Sequence, residues 1–451
     1  MHPGWARSRP YTDESNFYAT IPSLILQSFT AWIESFHSMK DIKKRWVEER
    51  LRSVMEVMPA VVLTGARQTG KSTLARSRPL ADGREYHSLD RMEVLELALK
   101  SPSELLRQIP VTLDEVQRAP SLLAAVKLRV DEAKEGIRGG ILLTGSANLA
   151  LMEGVSESLA GRAGYVSLPP FCPGEWLGDR SLLGALDLLF SETFDPRRWP
   201  SGKSDWNRWA VRGGYPGVLE LDTADARDIW FEGYVATYLE RDLRQLSDIA
   251  HLPDFQRLMK LAASRCGRLV NQSDFGREVH LPLATTHRYL NLLEAGCQIA
   301  RLPNYRTSAS SSAAKARKLF WTDCGLAAWL AGTGMPSERG DAGFWLEQQV
   351  FQSLQSWAAV AGRRAISFWR DGVREVDFVL EQGDGLVAVE VKSATTVTGA
   401  DFNGLRAFQS AFTKRGRRPP LGVLLNPSES VLSFGEHLYA LPLHPFAPPV
   451  P

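Results

Sequence analysis

Pro59-Ala-Val-Val-Leu-Thr-Gly65-Ala-Arg-Gln-Thr-Gly70-Lys71-Ser72-Thr73 is an apolar strand that runs into the pattern GxxxxGKS and then into Leu74-Ala-Arg76, which continues as helix. A glycine-rich turn lets successive backbone N–H groups point inward around a phosphate, and the following helix start adds its positive dipole end. Lysine at the end of such a turn reaches the β/γ oxygens, and a hydroxyl beside it serves as a hard oxygen ligand for Mg²⁺. Gly65, Ala66, Arg67, Gln68, Thr69, Gly70, Lys71, Ser72 and Thr73 are therefore the expected phosphate cradle, with Lys71 on the phosphates and Ser72 on the metal ion.

Binding alone needs no more than this loop, whereas hydrolysis needs groups that hold Mg²⁺ and orient water. Val111-Thr-Leu-Asp114-Glu115 is an apolar strand ending in two acids. Asp114 is expected beside the metal ion, and Glu115 close enough to polarise an attacking water. The next apolar run ends Thr144-Gly-Ser146-Ala-Asn148, at the carboxyl edge where ligands sit in open α/β sheets. Ser146 or Asn148 either senses the γ-phosphate or belongs to a helix-capping turn. Arg162, on the turn Leu159-Ala-Gly-Arg162, is either a charge-stabilising arginine or a surface one.

The bulk composition sets the frame. A chain of 451 residues exceeds one hydrophobic core, and 44% hydrophobic with 23% charged residues excludes a disordered or collagen-like polymer. No apolar run approaches the ~20 residues of a membrane helix. A net charge of +2 offers no global attraction for nucleic acid, so a DNA contact would have to rest on a local patch. Cys172, Cys266, Cys297 and Cys324 are widely spaced with no CxxC, which argues against a disulfide framework or a zinc site and fits a reducing cytoplasm. Residues 1–38 resemble no signal peptide, and the basic helix start Met39-Lys-Asp-Ile-Lys-Lys-Arg-Trp46 suggests translation from Met39.

From residue 59 to about 170, short β-rich runs at Val61–Thr64, Tyr86–Asp90, Val111–Asp114, Ile141–Thr144 and Tyr165–Leu168 alternate with helical stretches. That alternation predicts a parallel sheet with crossover helices. Phe231, Val235, Leu239, Leu243 and Leu246 then fall at helical spacing. Asn271–Val279 and Ala284–Glu294, joined by a proline-containing turn, look like a helix-turn-helix. Gln298–Leu302 and Lys318–Trp321 flank the serine- and alanine-rich stretch Arg306–Lys318, expected to be a mobile loop, and give the hairpin of a winged helix.

Leu63–Thr73, Leu113-Asp-Glu-Val-Gln117, Leu143-Thr-Gly-Ser146, Leu159–Arg162 and Pro170-Phe-Cys-Pro-Gly-Glu175 together resemble the AAA-type ATPases of bacteria and archaea that carry a C-terminal domain of unknown function. Gly213-Gly-Tyr-Pro216, Tyr238–Leu243 and Thr322-Asp-Cys-Gly-Leu326 are similar to signatures of that second domain. The resemblance spans roughly residues 40–440 and implies ATP and Mg²⁺ as ligands. It divides the α/β chain into an N-terminal extension (1–38), a P-loop ATPase domain with a parallel sheet (39–178), a helical subdomain (179–250), a winged-helix segment (251–335) and a nuclease-like α/β domain (336–451).

In that last segment, Phe368–Leu380 contains Asp377, and Leu386-Val-Ala-Val-Glu390-Val-Lys392 follows after a turn at Gly383-Asp-Gly385. Alternation puts Glu390 and Lys392 on one face, and antiparallel pairing brings Asp377 across to them. Two carboxylates and a lysine at one point suit a Mg²⁺ site that cleaves phosphodiesters. The pattern resembles the PD-(D/E)XK nuclease core, whose first-helix acid corresponds to Glu347. The expectation is thus an ATPase driving or gating a DNA-directed half, with Asp377, Glu390 and Lys392 catalytic and Asp377, Glu390 and Glu347 on metal. The alternative is a nucleotide-dependent signalling switch, or an ATPase engaging a protein partner or a second copy of itself, with an inactive tail.

Overall fold

The computed structural model describes residues 42–133, 136–146, 159–238, 251–305, 317–334, 342–413 and 419–449. From Lys44 onward the chain forms one compact unit. Met39, Leu239, Leu243, Leu246, the stretch 306–316 and Asn148 lie outside the described residues.

All five sequence-expected strands form: β1 Ala60–Thr64, β2 Glu85–Ser88, β3 Val111–Asp114, β4 Ile141–Gly145 and β5 Ala163–Ser167. They pair in parallel in the order β2-β3-β4-β1-β5. β1, β3 and β4 are buried along their whole length, which is why they read as continuous apolar runs rather than alternating ones. Because β3 and β4 flank each other and β4 flanks β1, Asp114, Thr144 and the loop leaving Thr64 emerge together at the carboxyl edge.

Downstream, helices at Ser181–Leu189, Trp206–Arg212 and Ala224–Thr237 build the helical segment, burying Phe231 and Val235 as their spacing foretold. Helix Leu252–Ser264, β6 Arg268–Leu269, α1 Gln272–Glu278, α2 Leu283–Ala295, β7 Ile299–Pro303 and β8 Arg317–Trp321 follow. The strands form an antiparallel sheet ordered β6-β8-β7. Arg317, expected in the loop, is instead the first residue of β8, and Lys318, expected to open the hairpin strand, pairs with Leu302 and Leu269.

After helix Cys324–Ala331, the long α3 (Ala342–Ala359) covers one face of a second sheet. This sheet contains β9 Arg364–Asp371, β10 Arg374–Gln382, β11 Gly385–Val391, β12 Leu421–Asn426, β13 Leu432–Gly435 and β14 Leu438–Pro442. Their order is β13-β14-β12-β11-β10-β9. Helix Asn403–Thr413 packs its Leu405, Phe408 and Phe412 on the other face. The Gly383 turn joins β10 to β11 antiparallel, with Gln382 opposite Gly385.

The three downstream segments meet in a common core, beside which the second sheet keeps its own cluster under helix Asn403–Thr413. One cluster of buried side chains runs from Trp46 through Leu186, Phe231, Phe255, Leu293, Trp321 and Phe351 to Val423 and Phe446. The helical segment, the 251–321 segment and the second sheet therefore share one apolar interior.

Candidate nucleotide site and a lysine-filled carboxylate cluster

The loop after β1 takes its shape from three residues with positive φ: Gly65 (153°), Gln68 (60°) and Gly70 (95°). At Gly65 a side chain has no room, since a Cβ would lie 2.3 Å from the Leu168 carbonyl oxygen. Gln68 and Thr73 are exposed, Arg67 half-buried, and Ala66, Thr69 and Lys71 buried. Lys71 Nζ donates to the carbonyls of Gly65 (2.9 Å) and Ala66 (2.7 Å), folded over the loop that it is expected to share with phosphate.

Ser72 and Asp114, 42 positions apart in sequence, meet: Ser72 Oγ donates to Asp114 Oδ2 at 2.9 Å. Tyr86 OH and Thr144 Oγ1 also donate to this carboxylate, which is buried and held by three hydroxyls from three elements. A hydroxyl beside a fixed carboxylate is a donor set that fits Mg²⁺, which prefers a few hard oxygens and keeps several of its waters. Glu115 follows in the left-handed region at φ 62°, so its side chain turns out of the strand line. Burial raises its pKa, with the Lys71 charge opposing and the Asp114 charge adding. Gln117 Nε2 donates both to Glu115 Oε2 and to Ser146 Oγ, the latter at 3.0 Å, and so bridges two expected site residues.

Arg162 lies away from the loop in this chain. It precedes β5, whose Ala163 pairs with Ala60, so it lies at the edge of the sheet opposite the loop. The four steps along each five-residue strand separate those edges by about 13 Å. Its guanidinium is held by Asp131 through Nε (2.5 Å) and Nη2 (2.9 Å). Within one chain it does not reach the cradle.

Residues 58–177 match the family described as AAA domain, whereas 203–337 and 342–446 match two families described as domains of unknown function, DUF8612 and DUF4143. The match at 58–177 covers the parallel sheet and the loop after β1. The chain is 28% identical over 365 residues to the uncharacterized proteins Mb2031c of Mycobacterium bovis and Rv2008c of Mycobacterium tuberculosis, covering 79% of this chain and 75% of each of those. Among solved structures it is similar to the Walker-type ATPase PABY2304 of Pyrococcus abyssi, at 17% identity and a TM-score of 0.40, over 65% of this chain and 97% of that one. It is also similar to the Thermotoga maritima RuvB Holliday junction branch migration motor, at 17% identity and a TM-score of 0.24, over 57% and 89%. No described helix is long and apolar enough to cross a membrane.

The C-terminal constellation assembles around a group that the sequence reading placed elsewhere. A register shift in β10 between Val376 and Val379 re-aims Asp377, whose Oδ2 accepts the Val391 N–H at 3.0 Å. Glu390 is joined by Lys392 Nζ at 2.7 Å. The centre, however, is filled by Lys318 of β8: its ammonium lies 2.5 Å from Glu347, 2.9 Å from Glu375 and 3.1 Å from Asp377. Lys318 is only 2% exposed.

Burial disfavours its charge, but the three carboxylates outweigh that and hold its pKa well above the ordinary lysine value. Burial, with Asp377 nearby, raises Glu347 well above the carboxylate range and pushes Glu390 up to about 8.

Where Asp377, Glu390 and Glu347 are expected to ligate a metal ion, the chain places Lys318 beside Asp377 and Glu347. Among the described residues no group of three or more His, Cys, Asp or Glu side chains is arranged to hold a metal ion. A cation already neutralises Asp377 and Glu347, and it is covalently part of the chain. Glu375, absent from the sequence-based set, completes the cluster. Its alternation with Asp377 along β10 was the available signal, whereas nothing local to Lys318 announces that β8 crosses to this sheet.

Proposed function

We propose that this chain is a Mg²⁺-dependent ATPase whose nucleotide state controls a DNA-directed, non-cleaving C-terminal half. The convergence of Ser72, Asp114 and Glu115 on the Lys71 loop carries the ATPase part. Lys71 would hold the β/γ-phosphates, Ser72 and Asp114 would hold the metal ion, and Glu115 would accept a proton from water. Bound Mg²⁺ would neutralise charge developing on the transferred phosphoryl group.

We read 251–321 as a winged helix because its helices and strands alternate in that order, with α2 exposing His287, Arg288 and Asn291 on one face. Lys318 in the carboxylate cluster supports binding without cutting. A second reading, a nucleotide-dependent protein-interaction switch, is favoured by the arginines of this segment. Arg257, Arg265, Arg277 and Arg301 are ion-paired with Asp254, Glu278, Asp274 and Glu294. Charges already paired give up fewer counterions to phosphate.

ATP turnover with and without duplex DNA separates the readings. Stimulation, salt-dependent binding and an intact plasmid in Mg²⁺ support DNA direction without cleavage. Nicking that Asp377→Ala abolishes would restore a catalytic tail, and no DNA binding at low salt would favour the switch. Loss of nucleotide binding in Lys71→Ala is the control for the ATPase half.

A further inference from the structure

A buried arginine outside the cradle touches both the nucleotide loop and the downstream half. Arg45 Nη1 donates to the Thr69 carbonyl at 2.8 Å, inside the loop. Its Nη2 donates to the Pro169 carbonyl at 2.6 Å, and Nε and Nη2 together grip Glu175 at 3.1 and 3.2 Å. The guanidinium also lies 4.0 Å over the Phe171 ring. Glu175 is fixed from its other side by the Trp46 N–H at 2.6 Å.

The connection continues through the backbone. Phe171 N–H donates to the Gly214 carbonyl at 2.8 Å, and the Phe171 carbonyl accepts from Gln352 Nε2 of α3 at 2.8 Å. Gly214 N–H donates to Asp323 Oδ2 at 2.6 Å, and Gln352 Oε1 accepts the Cys324 N–H at 2.7 Å. Close approach leaves no freedom here: a Cβ on Gly214 would fall 1.9 Å from the Phe171 carbonyl oxygen and 2.4 Å from Gln352 Nε2. One turn earlier on α3, Gln348 accepts and donates at the Trp321 backbone, and Glu347 holds Lys318. Three motifs, Pro170–Glu175, Gly213–Pro216 and Thr322–Leu326, thus meet at one buried polar joint between the nucleotide loop and α3.

The geometry points to Arg45 as the positioning residue that transmits occupancy of the Gly65–Ser72 loop to α3 and its Lys318 cluster. The inference rests on the ATPase reading above. Lys71 now holds the loop carbonyls of Gly65 and Ala66, and a phosphate that draws its ammonium away releases them. Thr69 Oγ1 is tied to the same Ala66 carbonyl at 2.9 Å, so that release reaches the Thr69 backbone that Arg45 grips. Release of these carbonyls on phosphate binding would give the loop the second arrangement that a coupling element requires.

The experiment is amide hydrogen exchange of the full chain with and without a non-hydrolysable ATP analogue plus Mg²⁺, with analogue binding measured separately by fluorescence. In the wild type, the analogue should change exchange in α3 by about fivefold or more, the low end of typical coupling. Arg45→Lys keeps a charge at the site but not the fork that spans three partners. It should bind the analogue within about threefold of wild type while the α3 response falls below about twofold. Gln352→Met, which breaks the far end without touching the loop, should do the same. Failure of the wild type to bind the analogue overturns the ATPase reading. Binding with no α3 response in wild type, or an unchanged response in either variant, overturns the coupling alone.

Discussion

Replacing Lys318 by methionine keeps an unbranched apolar stem of similar length and removes the ammonium from between Glu347, Glu375 and Asp377. Breaking a buried ion pair by deleting one partner typically costs about 3–5 kcal/mol, because the remaining charge stays buried without its counter-ion. Here three carboxylates lose one shared cation, so the upper part of that range is expected at pH 8. At about 2.1 cal/mol/K per residue over roughly 400 residues, 1 kcal/mol moves the midpoint by about 1 °C, so melting should fall on the order of 5 °C.

The pH dependence gives the sharper test. Burial holds Glu347 above its unfolded value, so the folded state binds more protons, and its contribution is fully present at low pH and lost as pH rises through the folded pKa. The Lys318 charge opposes that rise. Deleting it extends the window upward, and the penalty of Lys318→Met should shrink from pH 8 to pH 5. Urea denaturation of both proteins at the two pH values measures it. A penalty below about 1 kcal/mol, the size of a surface pair, or one equal at both pH values, would refute the clustered-charge account.

Glu115→Gln should bind ATP but turn over about 10²–10⁴-fold more slowly, the usual worth of a positioned base. Gly214→Ala should cost about 3 kcal/mol or more by forcing backbone apart at the joint, read by chemical denaturation. Asp323→Asn places an amide donor against the Gly214 or Leu326 N–H and should cost about 1–3 kcal/mol. Because burial pushes Asp323 up to about 6, wild-type stability from this group falls as pH rises through that value, so the gap to Asp323→Asn should narrow from pH 4.5 to pH 7.

The parallel sheet was legible in the sequence because each strand is short, apolar and bounded by turn residues, and Ser72 with Asp114 followed from spacing and type alone. The β10–β11 hairpin was equally plain from its Gly383 turn. What stayed hidden depends on which surfaces meet. Gln348 and Gln352 read as ordinary helix residues, yet each satisfies buried backbone groups of another element. Arg45 looked like part of a basic helix start, although its partners lie 24, 124 and 130 positions away. Arg162 stayed open between two readings because a glycine-flanked arginine carries no information about the edge of the sheet on which it emerges.

The packing of residues 442–448 sets an order of events on the ribosome. Trp199 Nε1 donates to the Pro442 carbonyl, His444 Nδ1 meets the Lys203 carbonyl, and Asp205 N–H and Trp209 Nε1 donate to the carbonyls of Ala447 and Pro448. Synthesis delivers the nucleotide-binding sheet first and these partners more than 200 residues later, at about 5–20 residues per second. For that interval, of order 10–50 s, the segment around Trp199–Trp209 waits with its indoles unpaired. Chaperone engagement of nascent chains should therefore concentrate there.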